Sequence, residues 1–310
     1  MILAEREGVT YRYAGDRALL VEYGELVLDL TLNFRVQAVA DALRADPVDG
    51  LVEAAPGFRS ILLAYEPARV RPDALVEHLD RIHDELRAVS GIPSRLVNLP
   101  VAFDDSESRR AVQRYLDTIR PDAPNAEGGT NVDYVVRYNG FADREALYET
   151  VLATEQWVGF IGFFPGLPFM FPLDPRETVF VPKYNPSRTW TAEGAVGLGG
   201  PCYSIYPVES AGGYQLLGRT LPVYDLAGRN AIFRDDPLLL RPGDRVRFHR
   251  VEEDELLALF ADVRADRYRY DREDGVFDVS AYLEWLPSVA DEAAERQEAR
   301  ERAAAGTPVP

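Results

Sequence analysis

Apolar positions change their spacing several times along the chain, and each change marks an element. ALLVEY at 18–23 alternates as a strand. TLNFRVQAVADALRA then places Leu32, Val36, Val39 and Leu43 three or four residues apart, which predicts a helix with one apolar face. Two short strands follow near 51–55 and 59–65, and Pro72 and Asp73 open a second helix with a stripe of Leu75, Leu79, Ile82 and Leu86. RLVNLPVAF reads as a further strand. Strand, helix, strand, strand, helix, strand is the order of a ferredoxin-like unit, which predicts an α+β domain over residues 1–100.

A helical pattern over 105–119 (Val112, Tyr115, Leu116, Ile119) leads into RPDAPNAEGGTN, a surface loop by composition, and then a helix near 143–155. Short aromatic and β-branched runs separated by Gly and Pro come next: WVGFIGFFPGLPF, GAVGLGG, CYSIYPV, GGYQLLGRTLPVY and DRVRFHRV. They predict a β-barrel or sandwich, placing a second domain at 101–250. Beyond Val251 the helical segments EDELLALFADV and VSAYLEWL precede DEAAERQEARERAAA, which has no apolar stripe. Residues 251–310 therefore read as an acidic helical extension whose end is a solvated helix or fraying tail, one whose removal should leave the melting temperature nearly unchanged.

The charge changes this picture. A net −17 argues against nucleic acid as a partner. From Val251 onward 16 acidic residues face 7 basic ones, whereas 181–220 holds Lys183, Arg188 and Arg219 against Glu193 and Glu209. The locally cationic stretch favours an anionic or carbonyl-rich ligand. No apolar run is long enough to span a membrane and the first residues do not read as a signal peptide, so the expectation is a cytoplasmic protein. Cys202 is the sole cysteine, which rules out an intramolecular disulfide, and its neighbours suggest a buried strand thiol. His78, His83 and His249 lack the accompanying ligands of a zinc site and are expected at the surface or its boundary. There is no P-loop and no GxSxG elbow, and GLGGPC is not followed by a helix, so any ATP-dependent step would belong to a partner.

Three stretches carry candidate chemistry. FFPGLPF is a rigid apolar turn that would offer Phe164 and Gly166 to a substrate. KYNPSRTWT presents Lys183 and Arg188, with Asn185 held extended by the proline after it. In GGYQLLGRT, strand alternation predicts Gln215, Leu217 and Arg219 on one face, where an amide and a guanidinium could grip a carboxylate or ureido group. Ser204 and Tyr206 share a face in the same way. Each stretch also has a structural alternative, with Arg219 paired to Glu209, Trp190 in the core and Lys183 solvated.

GFFPGLPFMFPLDPR, KYNPSRTWTAEGAVGLGG and YPVESAGGYQLLGRT together resemble the allophanate hydrolase subunit 1 family, also called the carboxyltransferase domain C/D family, which includes kinase-inhibitor-type regulators and the B component of 5-oxoprolinase. KYNPSRTWT, LPVAFDDSESRRAVQRY and EDELLALFADVRADRY are most similar to the carboxyltransferase region of urea carboxylase, while FFPGLPFMFPLDP is closer to the stand-alone subunits. The resemblance implies a ferredoxin-like N-terminal domain and a cyclophilin-like barrel. It implies one subunit of a biotin-dependent carboxyltransferase acting on urea or a related amide, inactive alone. The alternatives are the B component of an ATP-dependent 5-oxoprolinase-type hydrolase, or a non-enzymatic regulator of a kinase. Lys183, Arg188 and Arg219 would supply charge, and Asn185, Tyr206 and Gln215 would orient the reactants. No Met-Lys-Met motif is present, so biotin would be presented by another chain. The expected partners are an allophanate hydrolase subunit 2-type protein and a biotin carboxylase or carrier subunit.

Overall fold

The computed structural model describes residues 1–86 and 88–310 and divides into two units, 1–94 with 276–284, and 95–275 with 285–310. The first unit contains β1 (Ile2–Arg6), β2 (Val9–Tyr13), β3 (Ala18–Tyr23), α1 (Leu30–Ala45), β4 (Leu51–Pro56), β5 (Ser60–Tyr65) and α2 (Pro72–Glu85). Asp29 starts α1 by accepting the Thr31 N–H at 2.8 Å, and Pro72 starts α2 at a position that needs no N–H donor. The expected stripes are buried: Val36, Val39 and Leu43 from α1, Leu75, Leu79 and Ile82 from α2.

The five strands run β1-β2-β3-β5-β4, all antiparallel. This departs from the expected unit at its fourth strand. RLVNLPVAF is not in this sheet, and its place beside β3 is taken by β2, half of a hairpin that turns at Gly8 (φ 71°).

His83 corrects a second expectation, because it is buried rather than at the boundary, as is His78. Its Nδ1 lies 3.2 Å from the Tyr11 hydroxyl and its Nε2 3.0 Å from that of Tyr23. Tyr11 donates to Asp80 at 2.7 Å, so a neutral ring that donates from Nδ1 and accepts at Nε2 satisfies every group. Burial, then the nearby Arg35 and Arg6, push its pKa down to about 4. Above the ordinary imidazole pKa both folded and unfolded chains are neutral; below it the unfolded chain takes up the proton first. Stability should therefore fall between about pH 6.5 and 4 by roughly 3 kcal/mol. Urea unfolding at pH 7 and pH 4.5 checks this against His83→Gln, which should lose that part of the pH dependence; an equal pH dependence in both proteins would contradict it.

The second unit is built on a closed barrel of seven strands. In chain order they are β6 (Gly91–Phe103), β7 (Gln156–Ile161), β8 (Pro168–Pro172), β9 (Ala195–Gly199), β10 (Cys202–Ile205), β11 (Gln215–Thr220) and β12 (Arg245–Arg250). Their spatial order is β11-β9-β10-β8-β7-β12-β6, and the β6–β11 pairing closes the ring. Only β6–β12 is parallel among these pairs. RLVNLPVAF is thus barrel strand β6. Val97, Leu99, Val158, Met170, Val196 and Leu198 belong to one buried cluster inside the barrel. Helices α3 (Ser106–Thr118), α4 (Val132–Asn139) and α5 (Arg144–Leu152) fall between β6 and β7, and Asp105 and Asp143 cap α3 and α5. α4 was not legible beside the loop expected there. Helix α6 (Glu253–Arg264) joins the barrel core through Leu256, Phe260 and Val263. β13 (Asp271–Asp278) lies beside β6, and α7 (Val279–Trp285) and α8 (Ala290–Ala305) finish the chain. No helix among the described residues is long and apolar enough to cross a membrane.

The tail is docked, contrary to the sequence expectation. Arg300 of α8 is buried, donates to the Arg176 carbonyl at 2.9 Å and lies 5.4 Å from the Phe141 ring. Arg296 pairs with Glu177 at 2.8 Å, and the Tyr134 hydroxyl donates to the Pro308 carbonyl. Gly140 leaves room for Ala303, whose methyl carbon would lie 2.9 Å from any added Cβ. The docking face consists of alanines and arginine stems bonded to carbonyls, which a search for an apolar stripe misses. Deleting residues 290–310 should expose Tyr134 and Phe141 and cost about 2 to 4 kcal/mol. A melting temperature within a degree of the full chain would show that the tail contributes nothing.

Candidate functional site

Neighbouring residues of β9 face opposite sides of the barrel wall. Val196 and Leu198 point inward, so Ala195, Gly197 and Gly199 point outward. The glycines leave the outer surface bare, and aromatic rings fill it. A Cβ on Gly199 would lie 2.4 Å from the Tyr214 ring, and one on Gly212 would lie 2.2 Å from the Tyr206 hydroxyl. Within GLGGPC, Gly197 and Gly199 are thus clearance for Tyr214 and Tyr206, whereas a Cβ on Gly200 would meet nothing.

On this outer face lies a cleft of about 220 Å³. Phe169, Ser204, Tyr206 and Tyr214 line it from the sheet side, Phe163 and Leu167 from the FFPGLPF turn, and Lys183, Ser187, Gly212 and Gly213 from two loops. Those loops are clasped together: Tyr184 N–H donates to the Gly213 carbonyl at 2.7 Å, and Arg188 and Gly212 exchange both backbone hydrogen bonds at 3.0 Å. The Lys183 ammonium is exposed and lies 5.1 Å from the centre of the Tyr214 ring. The Ser204 hydroxyl donates to the Pro168 carbonyl at 2.7 Å.

Of the residues singled out from sequence, Lys183, Ser204 and Tyr206 come together in the cleft. Arg188 is fully buried beside it, donating to the Tyr214 carbonyl at 2.6 Å and the Thr191 hydroxyl at 3.2 Å, with its guanidinium 4.5 Å from the Tyr184 ring. Asn185 and Pro186 are exposed outside the lining, joined by a cis peptide bond, and their carbonyls accept from Arg120 and Tyr115. Phe164 packs into an apolar cluster with Leu167, Tyr206 and Trp190, and Gly166 (φ 78°) packs against Tyr224 and Leu238; neither lines the cleft.

Gln215 and Arg219 do not share a face, contrary to the alternation expected. Gln215 pairs with Leu198 and Arg219 with Ala195, on opposite sides of β9, because a bulge between Leu216 and Gly218 inserts one residue. Gln215 is buried within the wall, donating to the Pro182 carbonyl at 2.7 Å and accepting from Asn125 at 3.0 Å. Asn125 and Asn131 come from the supposed surface loop, yet both are buried; Asn131 bonds the Tyr184 hydroxyl and the Leu216 N–H. Arg219 lies in a separate hollow with Leu257, Phe260 and Arg264, its Nε donating to the Glu193 carbonyl at 2.8 Å and its guanidinium 4.2 Å from the Phe260 ring. It does not pair with Glu209.

Cys202 is the buried strand thiol expected, and burial pushes its pKa up to about 12. Burial, and the neighbouring Cys202, likewise raise that of Tyr214. Both stay protonated at neutral pH, so neither offers a nucleophile. Phe163, Phe169, Ser187 and Tyr214 were missed, although the Gly162-Phe163 and Gly213-Tyr214 dipeptides were an available signal for two of them.

A barrel with an aromatic cleft walled by FFPGLPF, KYNPSRTWT and GGYQLLGRT motifs places the molecule among carboxyltransferase-domain proteins. The profile of the family described as carboxyltransferase domain, subdomain C and D, matches residues 9–233, and the chain belongs to that family. It is 38% identical over 282 residues to a urea amidolyase of Lachancea kluyveri, covering 90% of this chain but 15% of that protein. It is 31% identical over 236 residues to the B component of the 5-oxoprolinase of Escherichia coli O157:H7, covering 76% of this chain and 92% of that one. The crystal structure of Kluyveromyces lactis urea carboxylase superposes with a TM-score of 0.85 at 35% identity, over 98% of this chain and 28% of that chain. The chain therefore spans only a small part of the urea amidolyases it matches, and the resemblance read from its motifs is borne out.

Proposed function

We propose that this chain is one part of a biotin-dependent carboxyltransferase acting on urea or a related amide. The observation that carries the reading is Lys183, the one cation in an aromatic cleft whose described lining residues include no carboxylate. Biotin, when bound, supplies a ureido nitrogen that carries the carboxyl group to be transferred. The donor set suits such a ring: Phe169, Tyr206 and Tyr214 would hold it by flat apolar faces, and Ser204, already donating to Pro168, keeps its lone pairs for an N–H. Lys183 would hold the carboxylate's negative charge, an interaction that strengthens as the aromatic walls exclude water. A biotin-bearing chain, a subunit 2-type partner and any ATP-using step would lie outside these residues. The small share of the fused relatives that this chain spans supports that division.

The match across most of a 5-oxoprolinase B component favours a second reading, an ATP-dependent amide hydrolase working without biotin. Purifying the chain with a subunit 2 homologue and a biotin-bearing carboxylase, then assaying urea, guanidine and 5-oxoproline, separates the two. Bicarbonate-dependent carboxylation abolished by avidin is expected. Avidin-insensitive 5-oxoproline hydrolysis would favour the second reading, and no turnover of any of them would sink both.

A further inference from the structure

We propose that Phe163 is a ligand-contacting clamp at the rim of the cleft, determining its affinity for a flat amide or ureido ring. This rests on reading the cleft as a binding site for such a ring, not on carboxyl transfer taking place. Phe163 lines the cleft yet is 75% exposed, while Tyr206 in the same lining is 3% exposed, so the cleft has a dry floor and an aromatic rim open to a ligand. The Phe163 backbone is in the left-handed region, at φ 67°. Among the described residues the other non-glycine positions with positive φ are Asp104 and Asp266, of a type that tolerates this conformation far better than a phenylalanine. The surrounding turn is fixed. Gly162 N–H donates to Leu167 at 3.1 Å, Phe164 N–H to Gly162 at 2.8 Å, and Leu167 N–H to Phe164 at 3.1 Å. Phe164 meets the Phe163 ring edge to face at 4.6 Å. Gly166 cannot move toward Tyr224 or Leu238, where even a Cβ would be crowded at 3.0 to 3.2 Å.

Phe163 thus combines an unfavourable backbone with little burial, and its contact with Phe164 is the one ring contact that folding gains from it among the described residues. Strain of this kind persists only where the surroundings over-determine it, and it clusters at active sites and ligand clamps. An aromatic face carried on a fixed turn at the rim can stack on a planar ring.

The test uses the full chain with Phe163→Gly, Phe163→Ala, Phe163→Leu and Phe163→Trp, titrated calorimetrically with 2-imidazolidone, 5-oxoproline and free biotin. Glycine is at ease at positive φ, so Phe163→Gly should melt at or above the wild-type temperature while its ring affinity falls roughly fivefold to tenfold. Phe163→Ala should lose a similar factor, Phe163→Trp should keep the affinity, and Phe163→Leu should not restore it. Wild-type protein that binds none of the three rings overturns the proposal. So does unchanged affinity in Phe163→Ala, or loss only of association with a partner chain. Ring binding that depends on Phe163 in a protein with no carboxyl transfer would leave this inference standing and remove the functional reading instead.

Discussion

Arg188→Ala is expected to destabilise the protein by about 3 to 5 kcal/mol. Arg188 is 1% exposed, and among the described residues its side-chain hydrogen bonds go to neutral acceptors. Its charge is held by the Tyr214 carbonyl, the Thr191 hydroxyl and the face of Tyr184. Truncation would leave that carbonyl and hydroxyl without their donor in a dry site, each costing roughly 1 to 3 kcal/mol, and would open a cavity besides. Lysine should rescue poorly, because an ammonium can neither stack flat on Tyr184 nor reach two acceptors in a fixed fork. The backbone of Arg188 also clasps Gly212, so the cleft wall should loosen with it. We therefore propose a positioning role for Arg188, beneath the cleft rather than in it. Urea unfolding of the alanine and lysine variants checks the size, and a melting temperature unchanged in Arg188→Ala would refute the account.

How much of this was legible depends on which physical signal each residue left. The helices α1 and α2 announced themselves by apolar spacing, and the barrel by short runs between turn residues, because burial dictates both patterns. Strand β6 was legible as a strand but not as a barrel strand, since its sequence does not encode which sheet it joins. The bulge in β11 left no mark that period-two reasoning could use, and one extra residue moved Arg219 to the other face from Gln215. Buried polar residues were the hardest. Arg188, Gln215, Asn125, Asn131 and His83 look like surface or site residues by type, and only their partners make their burial tolerable. Within the cleft, Lys183 was legible as a cation of the KYNPSRTWT stretch, and Tyr206 by its strand alternation with Ser204. Phe163 was not, because composition cannot distinguish it from the packed Phe164 beside it.

Lys183→Ala is expected to do the opposite of Arg188→Ala, sparing the fold and removing the chemistry. Its ammonium is exposed and makes its one described ring contact at 5.1 Å from the centre of Tyr214, a contribution of about 0.5 to 1 kcal/mol at most to folding. In the proposed reaction the same group faces charge that develops on a carboxylate between aromatic walls. Removing a preorganised charge-stabilising group from such a site costs about 2.7 to 4 kcal/mol, or roughly a hundred- to thousandfold in rate. Lys183→Arg should retain part of the activity, because it keeps the charge while changing its shape and reach. Arg219→Ala is the internal control: it sits in a different hollow, against Phe260 and the Glu193 carbonyl, so turnover per folded molecule should change little. The comparison requires the chain assembled with the proposed partner and biotin-bearing subunit, with melting temperatures measured in parallel. Turnover preserved in Lys183→Ala would remove the cleft from the mechanism. A large fold-neutral loss in Arg219→Ala alone would move the site to the hollow beside α6.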